Sequence, residues 1–344
     1  MIPNLAPETV RPLPVWQRAL QDAFTRPAEL LDFLGIDPSL PILELAQRRA
    51  FPLRVPRGYA ARMRKGDPRD PLFLQVWPSP READVVEGFS EDAVGDLAKL
   101  KDGGLIQKYE GRALVVATGA CGVHCRFCFR RHFPYSDALA SRDHWQSALK
   151  QIAADRSISE VILSGGDPLS LTDDKLAELT EALEFVGHVK RLRIHTRQPI
   201  VLPERVDEGL LCWLARGRLQ KVMVVHANHA NEIDAAVAAA LRSIRDAGVT
   251  VLNQSVLLRG VNDNVDAQHD LAVRLFECGA MPYYLHLLDR VQGTAHFEVR
   301  PEEGASIVQQ LSARLPGYLV PKLVREEAGA PAKTPVLGPA AVLP

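Results

Sequence analysis

Three of the five cysteines fall in one short segment, CGVHCRFC (121–128), as Cys121, Cys125 and Cys128 with C-x3-C-x2-C spacing. Three thiolates on one loop can hold three corners of an iron–sulfur cubane and leave one iron without a protein ligand. An electron-transfer 4Fe–4S centre takes four cysteines, so a set of three implies that the open iron binds something else. A zinc site with His124 or His132 as fourth ligand uses the same stretch, but structural zinc sites usually pair two ligand knuckles, and no second cysteine pair exists. Cys212 and Cys278 lie in apolar, helix-like contexts and read as small core residues. The odd, clustered count argues against a disulfide framework.

Two further segments carry chemistry-bearing residues. In SGGDPL (164–169), Gly165 and Gly166 let backbone approach a ligand, and the Asp167 carboxylate can accept from an ammonium group. Taken alone this is a common turn sequence. In GAPAKTP (329–335), Lys333 sits in a small-residue loop and by itself reads as solvated surface. Pyridoxal phosphate needs a lysine amine, however, and a loop of small residues lets such a cofactor approach.

These residues are carried by a βα rhythm that starts near residue 113. Apolar runs of strand length lie at 113–118, 160–165, 190–196, 221–227, 249–254 and 282–288, separated by amphipathic stretches such as 142–155 and 232–248. Ile233, Val237, Leu241 and Ile244 mark one helix face, with Gly248 placed to end it. Six such units predict a parallel sheet, doubly wound or curled into an incomplete barrel, with the chemistry at the C-terminal strand ends. A proline-punctuated helical extension is expected over 1–100, the barrel over 101–300, and a C-terminal segment carrying Lys333 over 301–344. Within these, 72–78 reads as a strand, 301–315 as a helix and 318–324 as a strand.

The chain has 344 residues, with 41 Lys and Arg against 42 Asp and Glu, for a net charge of −1. That balance argues against nucleic-acid binding driven by bulk charge. No apolar run reaches the roughly 18 residues of a membrane span, and the N-terminus lacks a basic region followed by an apolar core. A cytoplasmic protein acting on a small molecule is expected, with no nucleic-acid or membrane partner.

The cysteine spacing, with Phe127 before the last ligand, resembles the radical S-adenosylmethionine family. That resemblance implies an incomplete (β/α)6 barrel, S-adenosyl-L-methionine chelated to the open iron of a 4Fe–4S cluster, and an adenosyl radical. It also implies that Ser164, Gly165, Gly166 and Asp167 form the segment that contacts the methionine amino group. From about residue 70 to 337 the chain further resembles the lysine 2,3-aminomutase group. The matching segments include CGVHCRFCFRRHFPY (121–135), SGGDPLSL (164–171), TRQPIVLPER (196–205), LNQSVLLRGVND (252–263) and PYYLHLLDRVQGTAHF (282–297). Carried over by position, Lys333 matches the pyridoxal 5'-phosphate lysine and Arg130 the arginine for the substrate carboxylate, a role suited to a guanidinium fork. Asp289 and Glu326 match the carboxylates facing the ε-ammonium of L-lysine. Arg112 matches a residue near the cofactor phosphate, with Lys108 and Tyr109 as weaker candidates. His226 and Gln254 match positions lining the cofactors.

Glu326 stands where the family carries an aspartate, so its reach differs by a methylene. GAPA (329–332) replaces the glycine run of the catabolic members, and their C-terminal extension is missing. These features resemble the short subgroup that makes (R)-β-lysine for modifying elongation factor P. An electron donor such as a flavodoxin or ferredoxin and a functional link to elongation factor P and its ligase follow from that likeness. Other readings of the same residues are a 2,3-aminomutase for glutamate or arginine, a pyridoxal phosphate enzyme with a structural metal, and a non-catalytic iron–sulfur or translation-factor binding module.

Overall fold

The computed structural model describes residues 12–43, 51–138 and 145–337. Ten strands form one sheet in sequence order: β1 (Leu100–Lys101), β2 (Leu105–Ile106), β3 (Arg112–Thr118), β4 (Glu160–Gly165), β5 (Arg191–Thr196), β6 (Gln220–Val225), β7 (Thr250–Val256), β8 (Met281–His286), β9 (Lys322–Arg325) and β10 (Thr334–Pro335). Each of β3 to β8 pairs parallel with its successor, and β9 continues parallel beside β8. The β1–β2 hairpin edges β3 antiparallel, and β10 folds back on β9. Among the described residues the two edges do not pair, so the sheet curls into the expected incomplete barrel without closing.

The period-two geometry of strands divides their side chains between two faces. Ala113, Val115 and Ala117 of β3, Val161 and Leu163 of β4, and Leu192 and Ile194 of β5 join the largest apolar core. The crossover helices cover that face, among them Asp173–Glu184 and Ala235–Asp246. Their alternating neighbours, Arg112, Ile162, Ser164, Arg193, His195, Gln254 and His286, turn inward to a cavity. Fully burying a Leu or Ile contributes about 1.5–3 kcal/mol, so the outer face fixes which residues point inward.

Ile233, Val237, Leu241 and Ile244 are buried as their spacing predicted, and Gly248 has a φ of +86° beyond the helix end. That helix starts at Ala235 because the Asp234 side chain accepts from Val237 N and caps it. The stretch 142–155 is helical over Gln146–Ala154; residues 142–144 lie outside the described residues. The strand expected at 72–78 is instead a short helix, Pro71–Leu74. Asp70 caps it with bonds from Leu72 N and Phe73 N, and Pro71 occupies its first turn. The strand expected at 318–324 starts only at Lys322, because Gly317–Leu319 form a 3-10 turn. Cys278 is buried, whereas Cys212 is exposed on the helix Glu208–Ala215, so only one of the two is a core residue.

The N-terminal helices build a second core around Trp16, Phe24, Leu30 and Leu34, into which Val123 of the cysteine loop packs. The extension therefore lies against that loop. No helix among the described residues is long and apolar enough to cross a membrane.

Candidate active site

The inward strand residues and the loops at their C-terminal ends enclose a cavity of ≈ 330 Å³. That size lies at the lower end of ordinary small-molecule sites, roughly 300–1,000 Å³. The residues matched to cluster, cofactor and substrate all line it: Cys121, Cys125 and Cys128; Ser164, Gly165, Gly166 and Asp167; Arg112, Arg130, His226, Gln254, Asp289, Glu326 and Lys333. In sequence these positions span most of the barrel. Tertiary structure makes them one surface.

The cysteine loop leaves the C-terminal end of β3. It is pinned by main-chain bonds from His124 N to Arg54 O (3.0 Å) and from Arg126 N to Gln75 O (2.9 Å). Arg126, between two of the cysteines, is clamped by buried Glu82, which also holds Arg131. Burial pushes the Cys128 thiol up to about 11, and burial beside Cys128 and Asp167 raises Cys121 well above its ordinary value. Such thiols ionise when a metal takes the proton's place.

His124 Nδ1 and His132 Nε2 each face a main-chain oxygen, of Pro52 and Gln292 respectively. Among the described residues no three His, Cys, Asp or Glu side chains converge on a point, as a mononuclear zinc site requires. A cubane gives each thiolate its own iron, so three cysteines lining one cavity need not meet at a single point.

Gly165 and Gly166 turn out to be shaped by the chain itself. Gly165 has a φ of +117°, and a Cβ there would lie 2.6 Å from Thr118 O; at Gly166 it would lie 2.5 Å from Ala120 O. Both glycines let the end of β4 press on the loop leading to Cys121. Asp167 is held by donors of the chain itself. Its Oδ1 accepts from Leu169 N (3.0 Å) and Thr196 Oγ1 (2.7 Å), and its Oδ2 from Arg197 N (2.7 Å) and Gln198 N (3.1 Å). With four donors from the chain, this buried carboxylate ties β4 to β5, leaving the neighbouring Ser164–Gly166 segment on the cavity wall.

A chain of charges crosses the cavity. Arg130 Nε donates to Asp96 Oδ2 at 2.8 Å, and its Nη1 to Ser164 Oγ at 2.9 Å. Lys108 Nζ lies 2.6 Å from the other Asp96 oxygen and 3.6 Å from Glu326 Oε1. Tyr109 OH donates to Glu326 Oε1 at 2.6 Å, and Lys333 Nζ to Oε2 at 2.9 Å. Burial alone would raise both carboxyls. Arg130 and Lys108 outweigh it at Asp96, as Lys333, Tyr109 and Lys108 do at Glu326, and hold both below the ordinary range. For Asp289 burial wins and pushes the carboxyl up to about 7, although Lys333 opposes it.

The remaining wall carries buried polar atoms without a protein partner: Arg112 Nε, His226 Nε2, Gln254 Oε1 and His286 Nε2. Burial, with nearby cations, lowers His226 to about 3 and keeps His195 and His286 neutral as well. An orphaned guanidinium nitrogen fits an anionic phosphate, and neutral imidazole and amide groups fit a polar, uncharged ligand. Lys333, just before β10, lines the same space. These residues fit a 4Fe–4S cluster at the cysteines and a lysine-linked phosphate cofactor in the same cavity.

Asp96, Arg197, His195 and His286 escaped the sequence reading. Arg197 and His286 lie in segments that carried the resemblance, and His195 is an inward position of β5; Asp96 had no local signal.

No family model matches the chain. It is 48% identical over 322 residues to the L-lysine 2,3-aminomutase of Escherichia coli (strain K12), covering 93% of this chain and 94% of that protein. It is 46% identical over 319 residues to the L-lysine 2,3-aminomutase of Haemophilus influenzae, covering 93% and 94%. Among solved structures, a radical SAM methyltransferase from Sphaerobacter thermophilus aligns over 64% of this chain and 68% of its own at a TM-score of 0.48 and 20% identity.

Proposed function

The chain belongs to the L-lysine 2,3-aminomutase family, and from that premise we propose that it isomerises free L-α-lysine to (R)-β-lysine in the cavity described above. The observation that carries this reading is the meeting of Cys121, Cys125 and Cys128 with Lys333, Arg130 and Asp289 on one enclosed surface. When bound, the 4Fe–4S cluster with S-adenosyl-L-methionine supplies the hydrogen-abstracting radical, and pyridoxal 5'-phosphate supplies the π-system across which the amino group migrates.

The chain's own part is positioning. Lys333 holds the pyridoxal cofactor, and Arg112 offers its unpartnered Nε to the phosphate. Arg130, fixed by Asp96 and Ser164, receives the substrate carboxylate, while Asp289 and Glu326 face the ε-ammonium. Two carboxylates at that end favour a cationic side chain over glutamate. Ser164, Gly165, Gly166, His226 and Gln254 line the S-adenosyl-L-methionine side, and Asp167 acts by holding that segment to β5. Water must leave so small a cavity as it fills, which strengthens each charged contact.

The further reading is that the product serves the modification of elongation factor P in the cytoplasm. A flavodoxin or ferredoxin would then donate the electron, and the factor's ligase would consume the product. Its support is the likeness of RFCFRRHFPY (126–135) and PYYLHLLDRVQGTAHF (282–297) to the short subgroup.

Anaerobic reconstitution with iron, sulfide, both cofactors and a reductant tests the reaction. The expected result is β-lysine from L-lysine, with little product from arginine or glutamate. Lys333→Ala should abolish turnover and the cofactor's lysine-linked absorbance while iron and sulfide stay at wild-type content. No β-lysine from a preparation with a verified cluster would overturn the assignment.

A further inference from the structure

We propose that Arg197 is a positioning residue that sets the reduction potential of the iron–sulfur cluster through Cys125. The inference rests on the reading that the three cysteines hold such a cluster. Arg197 follows β5 directly, and its Nη1 lies 2.8 Å from Cys125 Sγ. Its Nη2 donates to Gln75 Oε1 (2.6 Å) and Glu232 Oε2 (2.9 Å), with Tyr59 OH at 3.3 Å. The guanidinium also lies 5.3 Å from the centre of the Phe127 ring, inside the cysteine loop. The arginine side chain is 6% exposed and that of Glu232 is fully buried.

This arrangement cannot swing away. The Arg197 main chain is held by Asp167, and Glu232 Oε1 accepts from Asn228 N (2.8 Å), His229 N (3.1 Å) and Gln75 Nε2 (3.2 Å). An unpaired buried ion costs several kcal/mol, so Arg197 and Glu232 depend on one another. Once Cys125 is an iron-bound thiolate, the Arg197 guanidinium serves two anions. A cation and an N–H donor at a cluster sulfur stabilise the more negative, reduced cluster, and hydrogen bonds and net charge are the levers that set such potentials. Arg197 therefore raises the potential, and Glu232, by compensating it, lowers it.

The test is a redox titration of the anaerobically reconstituted chain, followed by absorbance and by the paramagnetic signal of the reduced cluster, with iron and sulfide counted in each sample. Arg197→Gln is expected to cut the reduced-to-oxidised ratio at a fixed poise about tenfold, on the order of 59 mV for one electron. Arg197→Lys, which keeps the charge but loses the fork, should fall between, and Glu232→Gln should shift the ratio the other way. Should Arg197→Gln fail to hold a cluster, the opposed shifts of Arg197→Lys and Glu232→Gln carry the test. Wild-type potentials in variants with full cluster content, or shifts of the same sign in both, would reduce Arg197 to a scaffold residue and overturn the proposal. A wild-type chain that takes up no iron and sulfide would overturn the cluster reading itself, and this inference with it.

Discussion

Lys333 Nζ and Glu326 Oε2 lie 2.9 Å apart, and the register of a hairpin puts them there. Thr334 of β10 pairs with Arg325 of β9, so Glu326, just past one strand, faces Lys333, just before the other. The lysine read as the cofactor anchor and the carboxylate read as a substrate contact therefore share one ion pair. Whatever binds Lys333 covalently frees one oxygen of Glu326 for another cation.

Replacing Glu326 tests that exchange. Glu326→Gln removes the charge while keeping the shape, and is expected to raise KM for L-lysine about 10- to 100-fold. That matches the ~1.5–3 kcal/mol of a hydrogen bond to a charged group. Glu326→Asp, which keeps the charge, should retain most of the affinity. Steady-state kinetics at saturating cofactors separates the two.

Asp96 bridges two cations, so its loss weakens the hold on both and leaves Arg130 without a carboxylate partner. Asp96→Asn leaves Arg130 and Lys108 without their shared counter-charge in a buried setting, where breaking a pair costs about 3–5 kcal/mol. Thermal melts should show this destabilisation. Turnover should show KM for lysine rising more than kcat falls, because Arg130 loses its fixed orientation.

Asp289 gives the site a pH dependence. Its carboxyl is raised from 3.8 to about 7, so the folded chain holds a proton that the unfolded chain releases. That contribution to stability is complete below about pH 3.8 and is lost as pH rises through about 7. Binding a cationic side chain needs the ionised form, so lysine affinity should rise over the interval near pH 7 in which the ligand-free chain loses stability. Asp289→Asn should flatten both trends. Melting curves and binding isotherms across this range check the signs.

Glu82 carries the cysteine loop's anchorage. Glu82→Gln weakens its buried pairs with Arg126 and Arg131 together, and a loss of about 3–5 kcal/mol is expected. Because Arg126 lies between Cys125 and Cys128, iron should also leave the variant faster under a chelator, measured as decay of the cluster's visible absorbance.

The parallel strands were legible because each is a short, β-branched apolar run of strand length, a pattern written locally in the chain. The helix after β6 was legible for the same kind of reason, a stripe of Ile233, Val237, Leu241 and Ile244. The 72–78 stretch misled because a short apolar run fits strand or helix alike, and the Asp70–Pro71 cap decides between them. Asp96 and Arg197 were hidden because their partners, Arg130 and Cys125, lie 34 and 72 positions away. What the sequence does not show at Asp167 is the strand packing that supplies its carboxylate with four donors from the chain.

The sequence by itself determined the spacing of Cys121, Cys125 and Cys128 and the presence of Lys333, since ligand number and amine chemistry belong to residue types. Only the tertiary structure decided that they line one cavity. The curled sheet turns alternate residues of β3 to β8 to one inner surface, and β9, docking parallel beside β8, brings the Lys333 hairpin to the same end as the cysteine loop. Electrostatics followed from that arrangement, because charge interactions depend on distance and burial rather than order along the chain. Asp289 is raised while Glu326 is held low within one cavity for that physical reason.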